Sequence, residues 1–191
     1  MENRKQSETR PAARPGQDIV ITGHIGIGGA IQAVRERREI LRQTLPEALL
    51  ETAEGFGRDL ERRTLPLEQT DRMTVREVKE GGIFTALWDL AREDGVGLTV
   101  YLKNIPVRQE TIEICEVLDL NPYELLSGGC FLVTSDNGND VILALEQQGI
   151  RGTFAGKVTD SHDKVIRNGD SCRYLNRPGR DEIWKLEKGD A

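Results

Sequence analysis

The apolar positions along the chain change period several times, and each change marks an element. Asp18-Ile19-Val20-Ile21-Thr22 is a β-branched run bounded by Gly16 and Gly23, which predicts a strand leaving its sheet through Gly23-His24-Ile25-Gly26. From Ala30 the apolar residues Ile31, Val34, Leu41 and Leu45 recur at helical spacing. Pro46 cannot continue that helix and admits a second through Leu49, Ala53 and Phe56. Beyond a proline-containing connection at 65–71, residues 73–78 are short and β-branched enough for a strand, which runs into Gly81-Gly82. Ile83, Leu87, Leu90 and Ala91 then form a helical stripe, with Phe84 and Trp88 on a neighbouring face, ended by Gly95 and Gly97. Residues 96–102 alternate as a strand, and the turn Asn104-Ile105-Pro106 leads into a helix bearing Ile112, Cys115 and Leu118. Residues 131–134 read as a buried strand, 140–148 as an amphipathic helix, and 153–159 and 164–167 as strands joined around Asp160-Ser161-His162-Asp163. This mixed order predicts an α/β (α+β) fold, a mixed-sheet sandwich with helices packed on the sheet. Residues 1–17 are polar, contain Pro11 and Pro15 and show no period. They are expected to form a flexible leader, with the domain at 18–186 and a tail at 187–191.

Composition narrows the classes. Hydrophobic residues make up 37% and charged residues 30% of 191, a balance that suits a globular domain and excludes disorder throughout. The formal net charge of -6 gives no electrostatic footprint for nucleic acid or an anionic membrane. The mixed-sign runs Arg35-Glu36-Arg37-Arg38-Glu39 and Glu61-Arg62-Arg63 read as solvated helix faces with i,i+4 pairs. No apolar run approaches the roughly 20 residues that span a bilayer, and there is no hydrophobic core of a signal peptide, so a cytoplasmic location is expected. Three cysteines at wide spacing without a CxxC, and only two histidines, support neither a disulfide framework nor a zinc site. Cys115 and Cys130 fall where cysteine is a small buried hydrophobe, and Cys172 in a polar loop.

The strongest candidate for chemistry is Val75-Arg76-Glu77-Val78-Lys79-Glu80-Gly81-Gly82-Ile83, where a strand ends in two glycines that open a helix. Unpaired N–H groups at a helix start and the positive end of the macrodipole favour phosphate, and glycine permits close approach. On that reading Arg76, Lys79, Gly81 and Gly82 bind phosphate or nucleotide, and Glu77 and Glu80 hold a metal ion bridging phosphates. The same glycine pair also reads as a simple tight turn. Gly23 to Gly29 forms a second strand-glycine-helix junction without the GxxxxGK[ST] pattern, and is expected to be a close-packed turn. His24, with no neighbouring ligand type in sequence, reads as structural, and His162 as solvent-facing. Ser127-Gly128-Gly129-Cys130 leads into a strand and lacks GxSxG, so it reads as a glycine turn. One echo, Arg14-Pro15-Gly16-Gln17-Asp18 and Arg177-Pro178-Gly179-Arg180-Asp181, reads as a repeated turn without a shared function.

Arg14-Pro15-Gly16-x-Asp18-Ile19-Val20, Glu80-Gly81-Gly82-Ile83-Phe84-x-Ala86-Leu87-Trp88, Ile105-Pro106-Val107-Arg108 and Leu120-Asn121-Pro122 occur in that order. Together they resemble the C-terminal domain of AIR synthase-related proteins, over roughly Ala13 to Leu186. The same domain occurs in hydrogenase maturation factors of the carbamoyl-dehydratase type, selenophosphate synthase and thiamine-monophosphate kinase. The resemblance implies an AIR synthase C-terminal type of mixed-sheet α/β sandwich. It implies ATP and Mg2+ as cofactors, and ATP-dependent ligase or phosphotransfer chemistry with nucleotide held largely by an N-terminal domain that also forms the dimer. No counterpart of that domain precedes Ala13. The hydrogenase-type pattern Met-Arg-Asp-Pro-Thr-Arg-Gly-Gly becomes Val75 to Gly82, with Arg76 and both glycines kept, Glu77 replacing the aspartate and Lys79 the threonine. The ending Trp184-Lys185-Leu186-Glu187-Lys188 lacks the terminal cysteine of the carbamoyl-transfer enzymes. The resemblance thus implies a non-catalytic or half-site module that binds a partner or phosphate-bearing ligand. The alternative is an ATP-dependent enzyme, active alone or with a separate N-terminal subunit. Its expected partners are a second copy in a homo-oligomer or a separate N-terminal-domain protein, and neither nucleic acid nor a membrane.

Overall fold

The computed structural model describes residues 11–61, 64–67 and 70–187, the side chain of Glu187 excepted. Seven strands form one sheet in the order β2-β4-β1-β5-β3-β6-β7. They are β1 (Asp18–Thr22), β2 (Met73–Val78), β3 (Gly97–Tyr101), β4 (Cys130–Ser135), β5 (Gly152–Thr159), β6 (Lys164–Asn168) and β7 (Ser171–Tyr174). Every pairing is antiparallel except β3 with β6. The helices are α1 (Ile27–Leu41), α2 (Glu47–Glu54), α3 (Gly57–Leu60), α4 (Gly82–Asp94), α5 (Gln109–Val117), α6 (Gly138–Glu146) and α7 (Trp184–Glu187). None of the described helices is long and apolar enough to cross a membrane.

Alternation decides which face each strand residue serves. Ile19, Ile21 and Leu132 pack with Val78, Ile83, Leu87 and Leu90 beneath α4. Their neighbours Val20, Phe131 and Val133 pack on the opposite side with Val141 and Leu145 of α6. A third cluster joins α1, α2 and α5 through Ile27, Ile31, Val34, Leu50, Ile114 and Leu125. The observed fold is therefore the expected mixed sheet with packed helices.

Local departures have physical causes. The boundary drawn at Asp18 lies inside packed chain: Ala13 is buried in the α4 cluster and donates its N–H to Asp94, and the buried Gln17 side chain donates to the Arg72 carbonyl. Residues 1–10 and 188–191 lie outside the described residues. α1 begins at Ile27, three residues before Ala30, because glycine at Gly28 and Gly29 admits the Leu125–Ser127 segment against the helix. A side chain at Gly28 would meet the Ser127 carbonyl at 2.4 Å. Leu45 and Phe56 are buried although they lie outside α1 and α2. On α5 the inward residues are Thr111, Ile114 and Cys115, so Ile112 and Leu118 are only half-buried. The charges of 35–39 are in part the expected solvated face, with Arg35, Glu36 and Glu39 exposed, and in part tertiary ties. Arg38 pairs with Glu47 and Glu54, Arg42 pairs with Glu47, and Arg37 donates to the Leu186 carbonyl, tying α1 to α2 and to α7. Of the second run, Arg62 and Arg63 lie outside the described residues. Cys172 stands on the exposed edge strand β7, a strand too polar to show the period expected of a buried one.

Candidate functional site

The register of the sheet gathers the chemistry-bearing turns at one end. Thr22 faces both Phe131 and Gly152, and Val78 faces Cys130. The exits of β1 and β2 and the entries of β4 and β5 are therefore neighbours. Gly23–Gly29, Lys79–Gly82, Leu126–Gly129 and Gly149–Arg151 all lie there.

At the exit of β2, Gly81 and Gly82 adopt φ of 75° and 63°, the left-handed region that glycine enters without steric cost. A side chain at Gly82 would meet the Tyr123 carbonyl at 2.5 Å and the Leu125 nitrogen at 2.9 Å. The close approach expected of a glycine seat is thus real, but the chain itself makes it. Gly81 N–H donates to Asp181 Oδ2 at 2.5 Å, Gly82 N–H to the Lys79 carbonyl at 3.2 Å, and Phe84 N–H to the Tyr123 carbonyl at 3.1 Å. Phe84 also stacks on Tyr123, ring centroids 5.1 Å apart. Asp181 Oδ1 accepts from Leu126 N–H at 3.1 Å and Ile183 N–H at 2.9 Å. A buried carboxylate of the chain, 6% exposed, sits where the helix start offers a place to an anion.

Asp181 lies in the second copy of the Arg-Pro-Gly-x-Asp echo, and the two copies do share a structural role. In the first, Asp18 Oδ2 accepts from Gly138 N–H, the opening residue of α6, at 2.9 Å. Each aspartate satisfies the N–H of a glycine at a helix start, the first delivered by the Pro15-Gly16 turn and the second by an irregular segment. The echoed spacing was the available signal for Asp181. The expected repeated turn is present at Pro15-Gly16, where Gln17 N–H donates to the Arg14 carbonyl, and not at Pro178-Gly179; what the copies share is the aspartate contact.

The six residues singled out around the junction separate into three groups. Arg76 is drawn away: Nη1 bonds Glu93 at 2.7 Å and Nη2 bonds Asp94 at 2.9 Å, in the last turn of α4. Asp94 and Gly82 are at opposite ends of that helix, roughly 18 Å apart at 1.5 Å per residue. Gly81 and Gly82 are buried behind Asp181 and Tyr123. Glu77, Lys79 and Glu80 remain together and line an open groove of about 660 Å3. Its other walls are Gly28, Ile31, Gln32, Arg35 and Glu36 of α1, Leu60 of α3, and Leu126-Ser127-Gly128. Lys79 Nζ is 2.8 Å from Glu77 Oε2, and the lysine side chain is exposed while that of Glu77 is largely buried. The buried Ser127 hydroxyl accepts from Gly26 N–H at 2.8 Å and so fastens two of the turns, a structural task and not that of a nucleophile.

The donor set tests the metal assignment. Among the described residues no three His, Cys, Asp or Glu side chains are grouped so as to hold a metal ion. Glu77 and Glu80 fit only an ion that arrives bound to phosphates, since Mg2+ in such sites needs one or two carboxylates beside the phosphate oxygens. The two buried thiols offer no alternative chemistry. Burial, with a minor contribution from Glu182, pushes Cys115 up to about 12. Burial, with a minor contribution from Glu77, pushes Cys130 up to about 12. Both are therefore protonated and inert near neutrality.

Comparison with known proteins accords with the fold. Carbamoyl dehydratase HypE of Rhizobium leguminosarum bv. viciae is 28% identical over 135 residues, covering 70% of this chain and 37% of that protein. The phosphoribosylformylglycinamidine synthase subunit PurL of Methanopyrus kandleri is 26% identical over 169 residues, 83% of this chain and 22% of its own length. The chain spans well under half of either relative. Among solved structures, the hydrogenase maturation protein HypE in complex with ATP superposes with a TM-score of 0.67 at 20% identity, over 91% of this chain and 54% of that one. At that identity the likeness establishes the fold. Residues 14–168 match the model of the AIR synthase related protein C-terminal domain, and the chain belongs to that family.

Proposed function

We propose that the chain supplies one wall of a site for a phosphate-bearing ligand, completed by a further domain or a second polypeptide, and is by itself a binding half-site. The observation that carries this reading is the groove at the exit of β2. There Lys79 of the β2 exit and Arg35 of α1 provide positive charge beside Glu77, Glu80 and Glu36, and the groove between them is open to solvent. The Gly81-Gly82 seat does not serve, because Asp181 fills it. Phosphate oxygens entering the groove would compete with Glu77 for the Lys79 ammonium. Glu77 and Glu80 would then hold Mg2+ carried by the phosphates, whose chemistry there would be to neutralise and orient them.

ATP is the ligand to test first, because related folds are known in complex with it: the HypE structure above, and Thermotoga maritima PurL, TM-score 0.52. The completing wall would come from a second copy or from a separate N-terminal-domain protein. A HypE-HypF complex among the structural neighbours supports protein partnership in the family. With that wall in place the composite would carry out ATP-dependent ligase or phosphotransfer chemistry.

Amide spectra of the isolated chain titrated with millimolar Mg-ATP provide the test. The expected outcome is weak saturable shifts confined to Lys79, Arg35 and the Leu126–Gly128 turn, abolished by Lys79→Glu and retained in Arg76→Met. Shifts that survive Lys79→Glu, or that are absent altogether, would refute the groove. Turnover of ATP by the chain alone would refute the half-site.

A further inference from the structure

A second cavity lies at the same end of the sheet, behind α3. It measures about 150 Å3 and is lined by Gly23, His24, Asp59, Arg108, Arg151 and the glycines of the neighbouring turns. It shares only Gly128 with the groove. Its side chains come from four separate elements. His24 follows β1, Arg108 is the residue capping the start of α5, Arg151 precedes β5, and Asp59 lies on α3.

The balance of charge and donors in this cavity is unequal. Arg108 Nη2 bonds Asp59 Oδ2 at 3.2 Å, its one side-chain hydrogen bond among the described residues, and its guanidinium lies 4.4 Å from the centre of the Phe56 ring. Stacking and this ion pair fix the orientation of the fork. Its Nε is buried without a hydrogen-bond partner among the described residues, a costly state for a guanidinium donor. Arg151 has no ion pair among the described residues. His24, half-buried, has its pKa lowered first by burial and then by Arg108 and Arg151, against the weaker opposing pull of Asp59 and Glu110. Two arginines and a histidine thus converge on a space with one carboxylate on its wall. The glycines at 23, 128 and 129 adopt positive φ and add no side chains to fill it. The α5 macrodipole presents its positive end at Arg108.

We propose that this cavity binds a phosphoryl group, with Arg108 and Arg151 as its cationic ligands and His24 as a hydrogen-bonding third. Two guanidinium groups offset by a single aspartate leave one net positive charge, which becomes two when His24 takes a proton and then matches a dianion; a monoanionic carboxylate balances the arginines without engaging His24 and lacks the third oxygen to reach all three donors. The assignment stands apart from the nucleotide groove, since the two cavities use different side chains.

The chain has only two histidines, which makes imidazole C–H signals a direct readout. His162 is exposed beyond the far end of β5, roughly 26 Å of strand away, and serves as an internal reference. Titration with inorganic phosphate is expected to move the His24 signals saturably, leave those of His162 in place, and raise the His24 titration midpoint. Arg151→Ala, on an exposed side chain, is expected to weaken the midpoint concentration about tenfold, the equivalent of about 1.4 kcal/mol for one charge-assisted contact. Arg108→Lys, which keeps charge and loses the fork, is expected to weaken it as well. Equal responses of His24 and His162, an Arg151→Ala variant that binds as the parent does, or saturation by acetate at the same concentration as by phosphate would each overturn the assignment.

Discussion

Removing the Asp181 carboxylate tests whether the helix start of α4 is held by the chain itself. In Asp181→Ala three backbone donors, Gly81, Leu126 and Ile183, lose their acceptor in a setting where the aspartate is 6% exposed. A hydrogen bond to a charged group contributes about 1.5–3 kcal/mol, and water entering the vacated space recovers part of each. The net loss is therefore about 3–5 kcal/mol, a large fraction of the roughly 5–15 kcal/mol that a domain possesses. At about 2–4 °C per kcal/mol for a chain of this size, Tm should fall by about 10 °C in a calorimetric melt. Because the variant uncovers an anion seat, formate or phosphate should restore part of the loss, and neither should stabilise the parent by the same increment. Asp181→Asn, which keeps one acceptor oxygen, should fall between the two. A Tm drop below about 3 °C in the alanine variant, or no restoration by either anion, would show that Asp181 does not occupy a helix-start anion site.

Four further outcomes are expected of this structure. Arg76→Met should cost about 3–5 kcal/mol in urea unfolding, because it removes the cation that compensates the Asp94 carboxylate, 3% exposed, while leaving the Mg-ATP response of the groove intact. Gly82→Ala should lose at least about 2 kcal/mol in the same assay, combining a left-handed backbone with contact against the Tyr123 carbonyl; an unchanged midpoint would contradict the close approach. Native alkylation at pH 8 should modify Cys172 alone, with Cys115 and Cys130 reacting only after denaturation, as read by intact-mass spectrometry. His24 has a folded-state pKa below its usual value, so the unfolded chain binds more protons between the two. Its contribution to stability is present above about 6.5 and declines as pH falls through the folded value. His24→Gln should flatten that decline in urea midpoints between pH 7.5 and 5, and an unaltered slope would count against it.

The strand at 73–78, the strand at 18–22 and the α4 stripe were all legible, the α4 stripe because its period matches one buried face and the strands because they are short β-branched runs bounded by turn residues, 18–22 being buried on both faces. β7 was not, because all four of its residues are exposed and an edge strand against β6 needs no apolar alternation. Among the candidate residues, Lys79, Glu77 and Glu80 share a groove, as their spacing allowed. Arg76 belongs to a different part of the molecule, because alternation along β2 aims it at the far end of α4. His24, Arg108 and Arg151 are spread over more than a hundred positions, and no local pattern joins them.

Sequence alone determined where glycine must stand and which residues can enter a core, because steric freedom at Gly81 and Gly82 and apolar period are properties of short segments. It also carried the Arg-Pro-Gly-x-Asp echo, though not its use. Only the tertiary structure decided that use, because the partner of each aspartate is a backbone N–H about a hundred positions away. A helix start is an anion site by its backbone chemistry, and the identity of the anion depends on which distant chain reaches it first. Here Asp181 does, which moves the candidate ligand site from the glycines to the groove beside them.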